Sequence, residues 1–187
     1  MEGGFFSGQL LIAMPGIGDP RFERAVILVC AHDAEHAMGL AVNRPVDGLT
    51  VPDLLERLQV KSTIPLPDDL VLMGGPVERE RGFVLHTDDF GLEHSLQVGS
   101  GVALTATREA LEAMVDPAGH PRRSLLALGY AGWGAGQLED EIKANVWLTC
   151  EADETLIFGD DYAKKWSQAL AKLGVDPQFL GSAVGRA

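Results

Sequence analysis

The stretch Gly129-Tyr130-Ala131-Gly132-Trp133-Gly134-Ala135-Gly136-Gln137-Leu138-Glu139-Asp140-Glu141-Ile142 joins a glycine-dense turn to an acidic helix start. Four glycines within eight positions permit positive φ angles or very close backbone approach. The acidic side chains complement the exposed amides and the positive dipole end of the predicted helix. The glycines therefore predict close packing around Trp133, and truncating a buried Trp133 to alanine is expected to cost about 3–5 kcal/mol.

Length and composition bound the class of protein. The chain has 187 residues, 46% of them hydrophobic, so residues 1–187 are expected to form a single domain with a substantial core. The formal net charge of −12 repels phosphate backbones and anionic headgroups. Because the only adjacent basic pairs are Arg122-Arg123 and Lys164-Lys165, we expect neither direct nucleic-acid binding nor membrane association.

The chain start lacks the basic segment and the apolar run of a signal peptide, so a cytoplasmic location is expected. The longest apolar run of the whole chain, Ala25 to Ala31, has the length of a strand and is too short to span a bilayer. Cys30 and Cys150 each end an apolar run and are predicted to be reduced core thiols. Their spacing does not establish whether the two thiols lie close together.

Hydrophobic periodicity predicts the regular structure. Short apolar runs bounded by Gly, Pro and Asp predict strands at Gly8–Met14, Arg24–Ala31, Met38–Asn43, Leu70–Met73, Phe83–His86, Gly101–Thr105, Ser124–Ala131 and Val146–Cys150. Helices are predicted at Val51–Leu58, Thr107–Val115, about Ala135–Ala144 and Asp161–Leu173, with a short last helix opened by Asp176-Pro177. Thr63 to Pro67 is predicted to be irregular. The order indicates an α+β fold with a curved mixed sheet.

Several motifs in a fixed order resemble the AlgH-like (YqgE) proteins of bacteria, whose members are mostly described as uncharacterised. They are Gly8–Pro15, Asp19–Phe22, His32, Met38–Pro45, Gly74–Val77, Gly82–His86, and Gly129–Glu141 continuing to Asn145–Leu148. The resemblance implies a bifurcated sheet folded into a pseudo-barrel and flanked by short helices. It also implies a link to transcriptional regulation of exopolysaccharide production, which the net charge indicates would be indirect.

Two motifs suggest chemistry that their context disfavours. His32-Asp33-Ala34-Glu35-His36 spells H-x-x-E-H, which binds zinc only when a helix brings both imidazoles to one face. Here it lies between two predicted strands, so a surface hairpin with solvated histidines is expected. The glycines near Trp133 do not complete G-x-G-x-x-G, and acidic residues follow them where a phosphate would need bare amides. No metal and no cofactor are predicted.

Polar residues at loop positions form the candidate site. Asn43-Arg44 ends a predicted strand and either orients an anionic group or ties down a loop, whereas Gly74-Gly75-Pro76 fixes a turn. Binding residues concentrate on loops held by a rigid sheet. If these turns converge, one groove is expected to be lined by Pro15, Asp19, Asn43, Arg44, Gly75, Trp133, Gln137 and Glu139.

Three functional hypotheses follow. The first is a non-enzymatic cytosolic binding or regulatory module that acts through a protein partner or a small ligand at this groove. The second is an enzyme of hydrolytic or redox type near Trp133, with Glu139, Glu141 or a cysteine as the chemical group, although no serine lies in a G-x-S-x-G elbow. The third is that the motifs only specify a difficult fold, in which case changes at Gly132 or Gly136 lower stability alone.

Overall fold

The computed structural model describes residues 5–15, 22–61, 70–89, 95–99, 101–106, 108–117, 119–159 and 161–176. Its strands are β1 Gln9–Ala13, β2 Val26–His32, β3 His36–Ala41, β4 Pro45–Thr50, β5 Leu70–Met73, β6 Val77–Thr87, β7 Leu96–Gly99, β8 Val102–Thr105, β9 Ser124–Gly134 and β10 Trp147–Glu151. Its helices are α1 Val51–Arg57, α2 Arg108–Met114, α3 Gln137–Lys143, α4 Glu154–Phe158 and α5 Lys165–Lys172, the last preceded by a 3-10 turn at Tyr162–Lys164. The predicted α+β class is confirmed.

The long strand β9 is where the sheet forks. The sheet runs in the order β10-β1-β2-β3-β9-β6-β8-β7, and neighbours on this path are antiparallel. Along one edge of β9, the first half pairs in parallel with β5 and the second half pairs with β3. Strand β4 then pairs with β5 away from the main path. The expected bifurcated, mixed sheet is therefore present.

Three glycines permit the close backbone crossing at this fork. A Cβ atom on Gly75 would overlap the backbone of Tyr130, and one on Gly74 or Gly129 would overlap a carbonyl oxygen of the opposite segment. Gly129 also has φ +75°, in the left-handed region. Gly74 N–H donates to Leu128 O at 2.8 Å, so the two segments touch through their main chains.

The sheet curls into an open half-barrel. Its β7 end approaches the residue before β1, where a Cβ on Gly8 would lie 2.8 Å from the carbonyl oxygen of Val98. Inside the curl, the largest buried cluster includes Leu28, Leu40 and Leu85. Helices α4 and α5 close part of this interior through Ile157 and Trp166.

Two further clusters cover the outside of the curl. Alternate residues of β2 face opposite sides, so Leu28 joins the interior whereas Ile27 packs with Trp133 and Trp147 beneath α3. This two-sided burial explains why β2 is a continuous apolar run. Helices α1 and α2 cover the β5–β6–β9 region with residues such as Leu55.

Local sequence signals explain the helix boundaries that were predicted well. Thr50 caps α1 in a capping box with Asp53, and Pro52 lies in the first turn. Gly174, with φ +73°, follows the end of α5. Helix α5 begins four residues later than predicted, because residues Tyr162–Lys164 form a 3-10 turn.

Several expectations were wrong in detail. Trp133 does not lie in a turn, because β9 continues through Gly134 and pairs Trp133 with Ala37 of β3. Strands β4 and β7 and helix α4 were not predicted, since they have only four to six residues and weak apolar patterns. Thr63–Pro67, Thr107 and the proposed helix after Asp176 lie outside the described residues.

We predict that Gly129→Ala lowers the free energy of unfolding by at least about 2 kcal/mol, since it adds left-handed strain and a main-chain overlap. Gly132→Ala is the matched control. Its Cβ would lie 3.4 Å from the Tyr130 ring in ordinary contact, so we expect a change within about 0.5 kcal/mol. Urea unfolding followed by tryptophan fluorescence measures both. Equal destabilisation of the two variants would contradict the role assigned to the crossing.

Candidate functional site

Asn43 and Arg44 tie down the segment before β2. Asn43 Oδ1 accepts from Val26 N–H at 2.9 Å, and its Nδ2 donates to Arg24 O at 2.8 Å. Arg44 Nη1 donates to Glu23 O at 2.8 Å. These bonds hold Arg24, which has φ 54°, in the turn that leads into the strand. These bonds are those expected if Asn43 and Arg44 tie down a loop.

Trp133 and Gln137 belong to a cluster centred on Glu141. Trp133 Nε1 and Trp147 Nε1 donate to Glu141 Oε1 at 3.0 and 2.9 Å, and Gln137 Nε2 donates to Glu141 Oε2 at 2.9 Å. Gln137 Oε1 accepts from Gly134 N–H at 3.0 Å. We call Trp133, Gln137, Glu141 and Trp147 the Glu141 cluster. It joins the end of β9 to α3 and β10, and it satisfies two buried indole N–H groups.

The glycines of this segment do not pack around Trp133 as predicted. A Cβ on Gly132 or Gly134 would meet nothing closer than 3.4 Å, so neither position needs glycine for space. Gly136 differs, because it is the N-cap of α3 with φ 71°. Its requirement is conformational, and a Cβ there would meet no atom within 4 Å.

Glu139 pairs with a histidine that is not solvated, contrary to expectation. The His32 side chain is 1% exposed, and its Nε2 lies 3.1 Å from Glu139 Oε1, in a contact that does not meet hydrogen-bond geometry. Phe6 N–H donates to His32 Nδ1 at 2.9 Å, and the rings of Phe5 and Phe6 pack on the imidazole. The pKa of Glu139 is lowered, first by its own backbone N–H and, against burial, by His32.

The two histidines of H-x-x-E-H lie on two different strands instead of one helix face. His32 ends β2 and His36 begins β3, where the His36 side chain is 58% exposed and its Nδ1 lies 3.2 Å from Asp33 Oδ1. Within the described parts of the chain, no group of three or more His, Cys, Asp or Glu side chains is arranged to hold a metal ion. The predicted hairpin is present, with only His36 solvated.

The seven candidate residues that the structure describes do not line one groove. Asn43 contacts the start of β2 and Glu139 contacts its end, and the seven residues of that strand separate the two places by roughly 20 Å. Gly75 is part of the fork, and Pro15 follows β1 in a half-buried turn. Asp19 lies outside the described residues. Of the candidates in the described ranges, only Trp133, Gln137 and Glu139 come together, around α3.

A cleft of about 590 Å³ opens at one end of the half-barrel. We call it the mouth cleft. Its lining residues come from β2, β3, β6, β7, β8 and β9 and from the residue after β8, and they are mostly apolar: Ala31, His36, Ala37, Met38, Val77, Arg81, Phe83, Leu96, Leu104, Ala106, Tyr130, Gly132, Trp133 and Gly134. Phe83 and Leu104 belong to the buried interior, and Met38 and Tyr130 pack against it half-buried. The cleft is therefore an open end of the core.

A bulge in β6 places charged groups at the edge of the mouth cleft. Val77 pairs with Tyr130 and Gly82 with Leu128, so four residues of β6 stand opposite one residue of β9. Arg81 Cζ lies 5.2 Å from the centroid of the Phe83 ring, and Arg81 Nη1 lies 3.8 Å from Glu78 Oε2. Partial burial raises the pKa of Tyr130, and a hydrogen bond to Glu78 raises it further.

Sequence reasoning identified only one residue of this cleft, Trp133. The signal that it missed is the alternation Glu78-Arg79-Glu80-Arg81 shortly after the Gly-Gly-Pro turn, in a strand whose later residues include the apolar run Phe83-Val84-Leu85. The floor could not be predicted, because Met38, Phe83 and Leu104 lie far apart in sequence and look like ordinary core residues.

The two cysteines are buried and free. They lie on β2 and β10, which flank β1 in the sheet, and both belong to the interior cluster. Burial raises the pKa of Cys30 to about 12 and also raises the pKa of Cys150. A thiol with a raised pKa carries little thiolate at neutral pH.

Known proteins resemble this chain along nearly its full length. A family model described as AlgH-like matches residues 10–178. A UPF0301 protein of Caulobacter vibrioides is 64% identical over 187 residues, covering 100% of this chain and 96% of the relative, and one from Rhodospirillum rubrum is 49% identical over 98% of this chain and 95% of its own.

Two solved structures share the fold. The solution structure of the AlgH protein from Pseudomonas aeruginosa matches with a TM-score of 0.77 at 38% identity, covering 97% of this chain and 95% of that one. A crystal structure of a protein from Corynebacterium diphtheriae matches with a TM-score of 0.69 at 17% identity, covering 88% and 85%, which shows the fold alone. In the part of the chain described here, no helix is long and apolar enough to cross a membrane.

We predict that Glu141→Ala lowers the free energy of unfolding by about 2–4 kcal/mol, because Trp133 and Trp147 would each keep a buried N–H without an acceptor. Glu141→Gln retains one carbonyl oxygen and should lose about half as much. Asp140→Ala, at an exposed position of the same helix, is the control and should change stability by less than about 0.5 kcal/mol. Urea unfolding measures all three, and a neutral Glu141→Ala would refute the structural role of the cluster.

Proposed function

The chain belongs to the AlgH-like family, and from that premise we propose that it is a cytoplasmic binding module whose small-molecule ligand occupies the mouth cleft. The main support for this proposal is the apolar floor of the cleft, which is an uncovered part of the buried core. Ligand sites are concave, mostly apolar and about 300–1,000 Å³ in volume, with a few polar groups that orient the ligand. The cleft has each of these properties.

Exposed apolar side chains at the cleft edge support this proposal. Val77 is 36% exposed and Leu96 is 43% exposed, and both line the cleft. In the described residues, the other exposed large hydrophobics are Leu58 and Leu173, which do not line it. Contiguous exposed apolar surface around a concave site is typical of ligand binding.

The residues named for an enzymatic alternative are engaged elsewhere. Glu141 accepts three hydrogen bonds inside its cluster, and Glu139 contacts the buried His32. Burial holds the Cys30 thiol in its protonated form. These contacts favour a structural role for each group and therefore favour binding over hydrolytic or redox chemistry near Trp133.

A regulatory role would follow from occupancy of the cleft. The lining residues belong to strands on both sides of the fork, so a bound ligand contacts β3 and β6 at once. A protein partner that distinguishes the occupied from the empty cleft would carry the signal. Any effect on transcription would be indirect, because a formal charge of −12 opposes contact with DNA.

We predict that Gly132→Leu weakens binding of a neutral apolar probe, N-phenyl-1-naphthylamine, by at least about tenfold, which corresponds to about 1.4 kcal/mol. A Cβ on Gly132 points toward Tyr130 and Val77, two lining residues, so the leucine side chain would fill the cleft. Probe fluorescence on titration with protein measures the affinity.

Gly82→Val is the matched control. Gly82 lies on β6, a Cβ there meets no atom within 4 Å, and the residue does not line the cleft. We expect wild-type probe affinity from this variant. Binding that is lost equally in both variants, or retained in Gly132→Leu, would show that the probe binds elsewhere and would refute the proposed site.

A further inference from the structure

We propose that the mouth cleft binds a small amphipathic carboxylate, with the apolar body of the ligand on the Phe83 floor and its single carboxylate on the guanidinium of Arg81. This inference rests on the proposed function, which requires only that the cleft binds a small apolar ligand. It adds the chemical class of the headgroup and the residue that recognises it.

The described lining residues lack the acidic side chains that dominate the rest of the molecule. Asp and Glu make up 27 of the 187 residues and the formal net charge is −12, yet none of the described lining residues is acidic. The lining instead includes the guanidinium of Arg81. A cationic edge on an anionic protein provides local complementarity for a negative headgroup that the rest of the surface repels.

Arg81 is placed to bind a ligand that lies on the apolar floor. Its guanidinium lies over the Phe83 ring at 5.2 Å, so the charge lies at the boundary between floor and solvent. The side chain is 53% exposed, and its ion pair with Glu78 is long at 3.8 Å. Since a guanidinium carries five N–H donors, this pair leaves donors available for a ligand carboxylate.

The number of donors favours a carboxylate over a phosphate. A planar carboxylate is matched by the two parallel N–H groups of one guanidinium. Two of the other polar lining side chains already have partners: His36 pairs with Asp33, and Trp133 donates to Glu141. Arg81 is the one Lys or Arg among the described lining residues, and a single guanidinium suits a monoanion.

Glu78 competes with the proposed ligand for Arg81. Its carboxylate lies beside the guanidinium, so it weakens the field that a ligand carboxylate experiences. Removing this charge should strengthen anion binding, whereas removing Arg81 should weaken it. Substitutions at these two residues, which contact each other, are therefore expected to change the affinity for an anion in opposite directions.

The experiment compares four ligands with one apolar body: decanoate, decanol, decyltrimethylammonium and decyl phosphate. Each displaces N-phenyl-1-naphthylamine at concentrations below its micelle concentration or, for decanol, below its solubility limit. In the wild type, decanoate should bind more tightly than decanol, and the cation should bind most weakly. Arg81→Gln should weaken the affinity for decanoate by about threefold to tenfold and leave the affinity for decanol unchanged. Glu78→Gln should strengthen the affinity for decanoate by about twofold to fivefold.

Arg79→Gln is the matched control, because Arg79 is exposed on the same bulge and does not line the cleft. It should leave the affinity for decanoate within about twofold of wild type, since a screened charge outside the site contributes little. Glu78, Arg79 and Arg81 are all exposed, so the three Gln variants are expected to fold, and urea unfolding verifies this. If Arg79→Gln and Arg81→Gln lose the same affinity for decanoate, the loss reflects only the change in net charge. That result would overturn the assignment of Arg81 as the residue that binds the carboxylate.

The remaining outcomes separate the inference from the function on which it rests. Equal affinity for decanoate and decanol, with no effect of Arg81→Gln, overturns the carboxylate while the cleft remains a ligand site. Decyl phosphate that binds more tightly than decanoate overturns the choice of headgroup. If the naphthylamine probe is itself insensitive to Gly132→Leu, the proposed function fails and the inference fails with it.

Discussion

The fold depends on a contact between two main chains that only glycine permits. At the fork, Gly74-Gly75 passes so close to Gly129 and Tyr130 that a Cβ on any of the three glycines would overlap backbone atoms. Hydrogen bonds then fix the crossing, since Gly74 N–H reaches Leu128 O and Ala41 N–H reaches Gly74 O. Because β9 must therefore exchange β5 for β3 along one edge, the sheet divides there and curls without closing into a barrel.

The mouth cleft follows from that crossing. After the Gly-Gly-Pro turn, β6 enters its pairing with β9 at Val77 but regains register only at Gly82. The intervening bulge stands opposite Gly129, whose main chain lies close to Arg79. The extra residues bend the strand and carry the side chain of Arg81 over Phe83. The same local constraint thus divides the sheet and places a cation at the edge of its open end.

Sequence patterns predicted the local structure well and the site poorly. The capping box at Thr50, the apolar run of β2 and the acidic start of α3 are local signals, and each named an element within a few residues. Trp133 was assigned to a turn because glycine density was interpreted as flexibility, whereas pairing with Ala37 extends the strand. The cleft depends on contacts between distant strands, and no local pattern specifies which core residues remain uncovered.

Burial divides the polar groups of this protein into two kinds. Glu141 and His32 lie among aromatic rings, and their contacts join elements that would otherwise leave buried N–H groups unpaired. Such groups are costly to disturb, so they suit a structural role better than a ligand that comes and goes. Arg81 is half-exposed on an apolar floor, where its partner can be exchanged at small cost. Recognition is therefore expected at the edge of the cleft, and rigidity from the cluster behind it.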